Sequence, residues 1–157
     1  MIKPWMFKKR IVAITIGATG SDLGNTAGIG GNTILDKTNP ASDSGAITSF
    51  QVFSAIEDMT ACKLGTFYGS GLSWTNRVFA NVGTVTMGTT QTFSGLNVAV
   101  SINDIIGIYF TSDNLDLSFS GGSGIMYVAG DKFGGGSNTY VLAFPTGQMS
   151  AYGTGST

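Results

Sequence analysis

The sequence has no histidine, a single cysteine and a single glutamate, so several kinds of chemistry lack their usual side chains. Without histidine, Ser-His and Cys-His nucleophilic catalysis are excluded, and the commonest protein metal ligand is missing. Cys62 has no partner for an intrachain disulfide, and we expect it to be a small buried residue on a strand. The sequence therefore predicts a protein that is not an enzyme and that needs no cofactor.

Charge is also scarce, since Asp, Glu, Lys and Arg make up 11% of the residues and the net charge is −1. A neutral surface is weakly protected against association, which favours a subunit of an assembly built from copies of itself and other proteins. Nothing in this balance attracts nucleic acid or an anionic membrane. No apolar run is long enough to span a bilayer, and the first 17 residues lack the pattern of a secretory signal. We therefore expect synthesis and assembly in a cytoplasm.

What the sequence does contain is a series of short apolar segments separated by glycine-rich turns. The segment Gly95–Ser112 is typical: period-2 alternation is followed by Asn103-Asp104 and then by a run that is apolar on both faces. It predicts a hairpin of two strands joined by a tight turn. The residues predicted to be buried there are Leu96, Val98, Val100, Ile106 and Ile108.

Roughly eight to ten such strands, with no helical periodicity, predict an all-β fold, a jelly-roll β-sandwich of two antiparallel sheets. We assign residues 11–147 to this single domain. Residues 1–10 do not fit the alternation and are predicted to be an extended N-terminal arm. Residues 148–157 are predicted to be a polar C-terminal tail, because glycine, serine and threonine dominate them.

Two groups of residues are candidates for binding. The arm carries large apolar and basic side chains that are expected to dock on another chain, namely Trp5, Phe7, Lys8, Lys9 and Arg10. Tyr68 and Trp74 flank a Gly/Ser loop and could contact a glycan or a partner protein. The alternative for Trp74 is that it folds back and caps the core of its own sandwich.

The carboxylates give weaker signals. Glu57 and Asp58 are adjacent, so on a strand they would face opposite ways, and we expect a solvated turn rather than the paired acids of a glycosidase. Asp113, Asn114 and Asp116 are either another turn or an oxygen-rich cation site. The loop after residue 17 has neither the spacing nor the following helix of a phosphate-binding loop.

Three stretches carry a family resemblance: NPASDSGAITSFQVFS, CKLGTFYGSG together with NRVFANVGTVTMG, and QTFSGLNVAVSINDIIGIYF. Between about residues 30 and 145 the chain resembles uncharacterised jelly-roll proteins encoded among the structural genes of tailed bacteriophages, some of them similar to lectin-type sandwiches. The resemblance implies a virion component, either a capsid decoration protein or a tail or fibre subunit. It also implies a second reading, a carbohydrate-binding module for attachment to the host surface, although the metal cluster of lectins is missing. It brings no catalytic residues.

Overall fold

The structure, a computed structural model, describes residues 8–157. Within that range there is no helix, and so none that could cross a membrane. The described chain forms fifteen strands. They are β1 (Ala13–Thr19), β2 (Asn25–Gly28), β3 (Asn32–Asp36), β4 (Gly45–Val52), β5 (Met59–Ser70), β6 (Ser73–Val85), β7 (Gln91–Phe93), β8 (Val98–Val100), β9 (Ile105–Tyr109), β10 (Asn114–Ser118), β11 (Ile125–Ala129), β12 (Asn138–Thr139), β13 (Val141–Phe144), β14 (Gln148–Met149) and β15 (Ala151–Ser156).

The strands form two large sheets and one small one, and the ladders between these strands are antiparallel. The seven-stranded sheet has the order β12-β6-β5-β9-β3-β11-β13. The five-stranded sheet has the order β1-β15-β4-β7, and β8 also pairs with β4. The three-stranded sheet is β14-β10-β2. The prediction of an all-β protein with packed antiparallel sheets is confirmed, and jelly-roll connectivity stays a prediction.

Apolar side chains from all three sheets meet in one central core. Ile14 and Phe50 come from the five-stranded sheet, Ile106 from the seven-stranded sheet and Leu117 from the three-stranded sheet, and all four are fully buried. The predicted core residues Val98, Val100, Ile106 and Ile108 are confirmed, and Leu96 is partly buried at the rim. Cys62 is buried in the same core, as predicted.

A second group of apolar residues covers the outer face of the seven-stranded sheet. This outer-face cluster consists of Leu35, Phe67, Trp74, Ile105, Met126, Phe133 and Tyr140. The register partners Gly65 and Gly107 make room for it: a Cβ on Gly107 would lie 2.3 Å from the ring of Phe67. Phe133, from the loop after β11, then packs edge-on against Phe67 with 5.1 Å between ring centroids. The 130–140 loop therefore closes the outer face of the sheet.

The predicted hairpin at residues 95–112 is wrong, because its two strands belong to different sheets. β8 pairs with β4, whereas β9 lies between β5 and β3. The turn between them is held by another segment: Asn103 N donates to Ala41 O, and Ala41 N donates to Asp104 O. The chain therefore crosses from one sheet to the other here, and Ile102 at this crossover is 56% exposed.

The predicted polar tail is also wrong, because residues 151–156 form β15, an interior strand of the five-stranded sheet between β1 and β4. Its low hydrophobicity has a steric cause. A Cβ on Gly153 would lie 2.8 Å from Ile16 and 2.9 Å from Phe50, and a Cβ on Gly155 would lie 1.9 Å from the carbonyl oxygen of Ala46. The neighbouring side chains fill the space, so the strand itself carries few apolar atoms.

Three strand boundaries are not marked by the sequence pattern. Strand β6 continues through Gly83 to Val85 as one long strand, and the glycine-rich loop after residue 17 contains β2. The first strand begins at Ala13, so Ile11 and Val12 lie before it. Alternation alone did not locate these ends, because pairing with a neighbouring strand determines where each strand stops.

Candidate functional site

The N-terminal arm lies partly outside the described residues, and Trp5 and Phe7 belong to the part that is not described. Lys8, Lys9 and Arg10 are exposed and precede β1. Ile11 follows them and is 75% exposed, the highest value of any large apolar side chain among the described residues. The described base of the arm therefore presents apolar surface to solvent beside its basic residues.

The base of the arm is attached to the five-stranded sheet by Thr157. Val12 N donates to Thr157 Oγ1 over 3.0 Å, and Thr157 N donates to Val12 O over 3.0 Å. Thr157 Oγ1 also donates to Arg10 O over 3.4 Å. These bonds fix where the arm leaves the domain, at the start of β1.

The second predicted pair does not form one surface. Trp74 is 6% exposed within the outer-face cluster, and its Nε1 donates to Gly71 O over 3.0 Å. It packs against its own domain, which is the alternative that the sequence left open, and offers no free ring face to a sugar. Tyr68 is 45% exposed, and the guanidinium of Arg77 lies 4.7 Å from its ring centroid.

Arg77 links Tyr68 to a buried carboxylate that sequence reasoning missed. Its Nε donates to Asp104 Oδ2 over 2.6 Å and its Nη2 donates to Asp104 Oδ1 over 3.0 Å. Asp104 is 3% exposed, and these hydrogen bonds raise the pKa of Arg77 above its ordinary value. Because a two-bond ion pair has a fixed geometry, it holds the guanidinium against the Tyr68 ring. Tyrosine and arginine are both enriched at protein interfaces.

A β-bulge brings Arg77 to this position. In the β5–β6 ladder Thr66 pairs with Val78 and Phe67 pairs with Asn76, so Arg77 is the extra residue on β6. A bulge re-aims the side chain of the inserted residue, and here it directs Arg77 toward the crossover turn at Asp104. The sequence signal was an arginine in an otherwise uncharged strand, but its partner could not be found because the turn was assigned to a hairpin.

The carboxylates considered from the sequence serve as structural ties. Glu57 Oε1 accepts hydrogen bonds from Asp113 N, Asn114 N and Asn114 Nδ2 at 2.7–3.0 Å. The side-chain amide of Asn114, followed by its backbone N–H, lowers the pKa of Glu57. Asp58 Oδ1 accepts from Met87 N over 2.9 Å. Among residues 8–157, no group of three or more acidic or cysteine side chains is placed to hold a metal ion.

Two buried aspartates have no cationic partner in the described chain. Asp36 is fully buried and accepts from Thr38 N and Met149 N, both over 2.8 Å. Burial raises the pKa of Asp36 to about 6, although the hydrogen bonds from Met149 and Thr38 lower it. Asp116 is 1% exposed, and only its Oδ1 is bonded, to Leu23 N over 2.9 Å. Burial, with the nearby charge of Asp22, raises the pKa of Asp116 to about 6.

The single thiol is inert in this fold. Cys62 is 1% exposed, and burial raises the pKa of its thiol to about 12. A thiol that stays protonated is a poor nucleophile and a poor metal ligand. Cys62 therefore acts as a small core residue.

Comparisons with protein-family models, with curated proteins and with solved structures found no match to this chain.

Proposed function

We propose that this protein is a non-enzymatic structural component of a tailed-phage particle, either a capsid decoration protein or a tail or fibre subunit, that associates with copies of itself and other virion proteins. Its place would then be the virion, assembled in the host cytoplasm. The virion assignment is supported by the resemblance of the three stretches described above. The association is supported by the arm, and one observation carries it: Ile11 is 75% exposed at the base of a segment that also contains Trp5 and Phe7.

The physical argument concerns the free energy of that exposed surface. Burying apolar area gains about 25 cal/mol per Å², whereas ordering each residue of a flexible segment costs roughly 1–2 kcal/mol. When another subunit covers the arm and the adjacent Ile11, burial of Trp5, Phe7 and Ile11 contributes about 1.5–3 kcal/mol for each side chain and offsets part of that cost. The domain's own core is already closed by the two large sheets, so the cover comes from a neighbouring chain.

The experiment is sedimentation velocity of the full chain beside a variant lacking residues 1–10, with circular dichroism to verify that both are folded. We expect the full chain to form oligomers of defined size and the truncated chain to be a folded monomer or a smaller species. Ile11→Ser in the full chain should weaken association in the same direction, while Ile56→Ser, at an exposed residue between β4 and β5, should not. Equal distributions for the full and truncated chains would overturn the role of the arm.

The non-enzymatic part of the proposal has its own test. In the chain's single glutamate, Glu57, one carboxylate oxygen accepts three hydrogen bonds from the segment after β9. We expect no release of reducing sugar from a broad glycan panel. Activity that Glu57→Gln abolishes would show that the protein is a glycosidase.

A further inference from the structure

The two large sheets have edge strands that differ in whether their outward backbone groups find hydrogen-bond partners. Along the outer edge of β1, the 39–42 loop supplies hydrogen-bond partners: Gly17 N donates to Asn39 O over 3.0 Å and Ser42 N donates to Thr15 O over 3.1 Å. Thr15 N in turn donates to Ser42 Oγ over 3.0 Å. We call this the closed margin. The outward N–H and C=O of Thr15 and the N–H of Gly17 are satisfied within the chain.

The outer edge of β6 has no such cover in the part of the chain that the structure describes. β12 pairs only with Ser73 and Trp74, and from there to Val85 the strand pairs with β5 alone. In an antiparallel pair, alternate N–H and C=O groups point away from the partner strand. We call the outer edge of residues 78–85 the open margin.

The open margin lacks two of the devices that keep edge strands apart, charge and proline. Natural sheets protect edges with charged residues, above all lysine, with proline, with β-bulges or with very short strands. The β5–β6 ladder has register shifts opposite residues 81–85, so pairing at this margin relies on its regular part, where Val78 to Asn81 pair with β5 in unbroken register. Residues 78–85 read VFANVGTV, with no charge and no proline. At the other end of the same sheet, β13 has only four residues and Pro145 follows it, so that edge is protected by its length and by proline.

We infer that the open margin is an interface at which β6 pairs with β6 of a second copy of this chain, antiparallel about a two-fold axis. Two identical strands related by a two-fold axis run antiparallel, so each unpaired donor row meets an acceptor row. No charge on residues 78–85 opposes another, and the net charge of −1 gives little repulsion between copies. The two seven-stranded sheets become one continuous sheet. This inference rests on the proposed function only in that both require copies to associate, since it uses a different surface from the arm.

The test uses two matched threonines in the full chain. Thr84 is exposed on β6 at the open margin, and Thr48 is exposed on β4, an interior strand of the five-stranded sheet. A lysine at Thr84 must lose water or face a partner strand when β6 pairs, whereas a lysine at Thr48 does neither. We expect Thr84→Lys to raise the dimer dissociation constant at least about tenfold in analytical ultracentrifugation. Thr48→Lys should leave it unchanged. Asn81→Lys, at a second exposed position on the margin, should act like Thr84→Lys, with thermal unfolding showing that each variant is folded.

The outcomes separate this inference from the role of the arm. A dimer that survives deletion of residues 1–10 and is lost in Thr84→Lys supports pairing at the open margin. A dimer that is lost on deletion but is unaffected by both lysines at the margin overturns it and leaves the arm as the interface. Equal weakening by Thr84→Lys and Thr48→Lys also overturns it, in favour of a sheet face. A wild-type chain that stays monomeric at every concentration overturns both proposals.

Discussion

The closed margin at β1 and the open margin at β6 belong to one sandwich, yet they show two ways to end a sheet. At β1 the 39–42 loop lies along the edge and forms three hydrogen bonds with it. The N–H groups of Thr15 and Gly17 donate to this loop, and Ser42 N donates back to Thr15 O. At β6, within residues 8–157, the strand is longer, carries no charge between residues 78 and 85, and is paired on one side only over most of its length. The β1 side is therefore completed by folding, whereas the β6 side is where we infer that a second copy pairs.

The largest expected effect comes from disturbing β15, which lies next to β1 on the closed side. In Gly155→Ala the new methyl group would lie 1.9 Å from the Ala46 carbonyl oxygen, and backbone cannot change rotamer to avoid it. We expect the free energy of unfolding to fall by more than about 3 kcal/mol in chemical denaturation. Gly136→Ala is the control, because its Cβ meets nothing within 4 Å, and it should change stability by less than about 1 kcal/mol.

A pH dependence of stability should follow from the two buried aspartates, Asp36 and Asp116. Their pKa values of about 6 lie above the ordinary 3.8, so the folded state holds protons that the unfolded state has released between these values. The contribution of these two carboxyls to stability should therefore be greatest below pH 4, fall as the pH rises to about 6, and stay level above it. We expect a loss of about 3 kcal/mol for each carboxyl, measured by urea unfolding at a series of pH values. Stability that rises from pH 4 to pH 6 would contradict the assignment.

The same substitution at these two aspartates should have opposite effects at pH 7. Both oxygens of Asp36 accept hydrogen bonds from backbone N–H groups. In Asp36→Asn the side-chain NH₂ would face one of these N–H donors, so the free energy of unfolding should fall by about 1–3 kcal/mol. Asp116 uses only Oδ1, and its Oδ2 is buried without a partner. Asp116→Asn removes a buried charge and keeps the acceptor, so it should stabilise the protein by about 1 kcal/mol. Thermal unfolding of the two variants side by side distinguishes these signs.

A smaller effect on stability should follow from removing one hydrogen bond between the 39–42 loop and β1 at the closed margin. Ser42→Ala removes the hydroxyl that accepts from Thr15 N but keeps the bond from Ser42 N to Thr15 O. We expect a loss of about 0.5–1 kcal/mol in the free energy of unfolding, because the site is exposed and water replaces the acceptor. A matched change at Ser44, whose Oγ accepts from Ile102 N in the crossover turn, should not alter amide exchange at Thr15.

How far the sequence predicted this molecule depends on which residues carry the signal. β9 was predicted because Ile105, Ile106 and Ile108 are apolar on both faces, and the strand is indeed covered on both sides. β15 was missed because Gly153 and Gly155 contribute space rather than side chains, and that need appears only once Ile16, Phe50 and Ala46 are in place. A local sequence pattern shows which apolar side chains a strand has, but it does not show how much space the side chains of neighbouring strands occupy.

The candidate site was predictable to a similar degree. The burial of Cys62 was predicted, whereas Ile11 was assigned to the domain and is exposed ahead of β1. The pairing of Arg77 with Asp104 was not predicted, because it joins a bulge on β6 to a crossover between sheets. The open margin was equally hidden, since a strand is an edge only by virtue of the order of the whole sheet.

The most direct test of the difference between the two margins is amide hydrogen exchange of the wild-type chain at low and at high protein concentration. The amides of Thr15 and Gly17 should be protected to the same extent at both concentrations, because their partners lie in the same chain. The outward-pointing amides between residues 78 and 85 should exchange fast in the dilute protein and become protected as the concentration rises. Protection of those β6 amides that does not change with concentration would contradict the account.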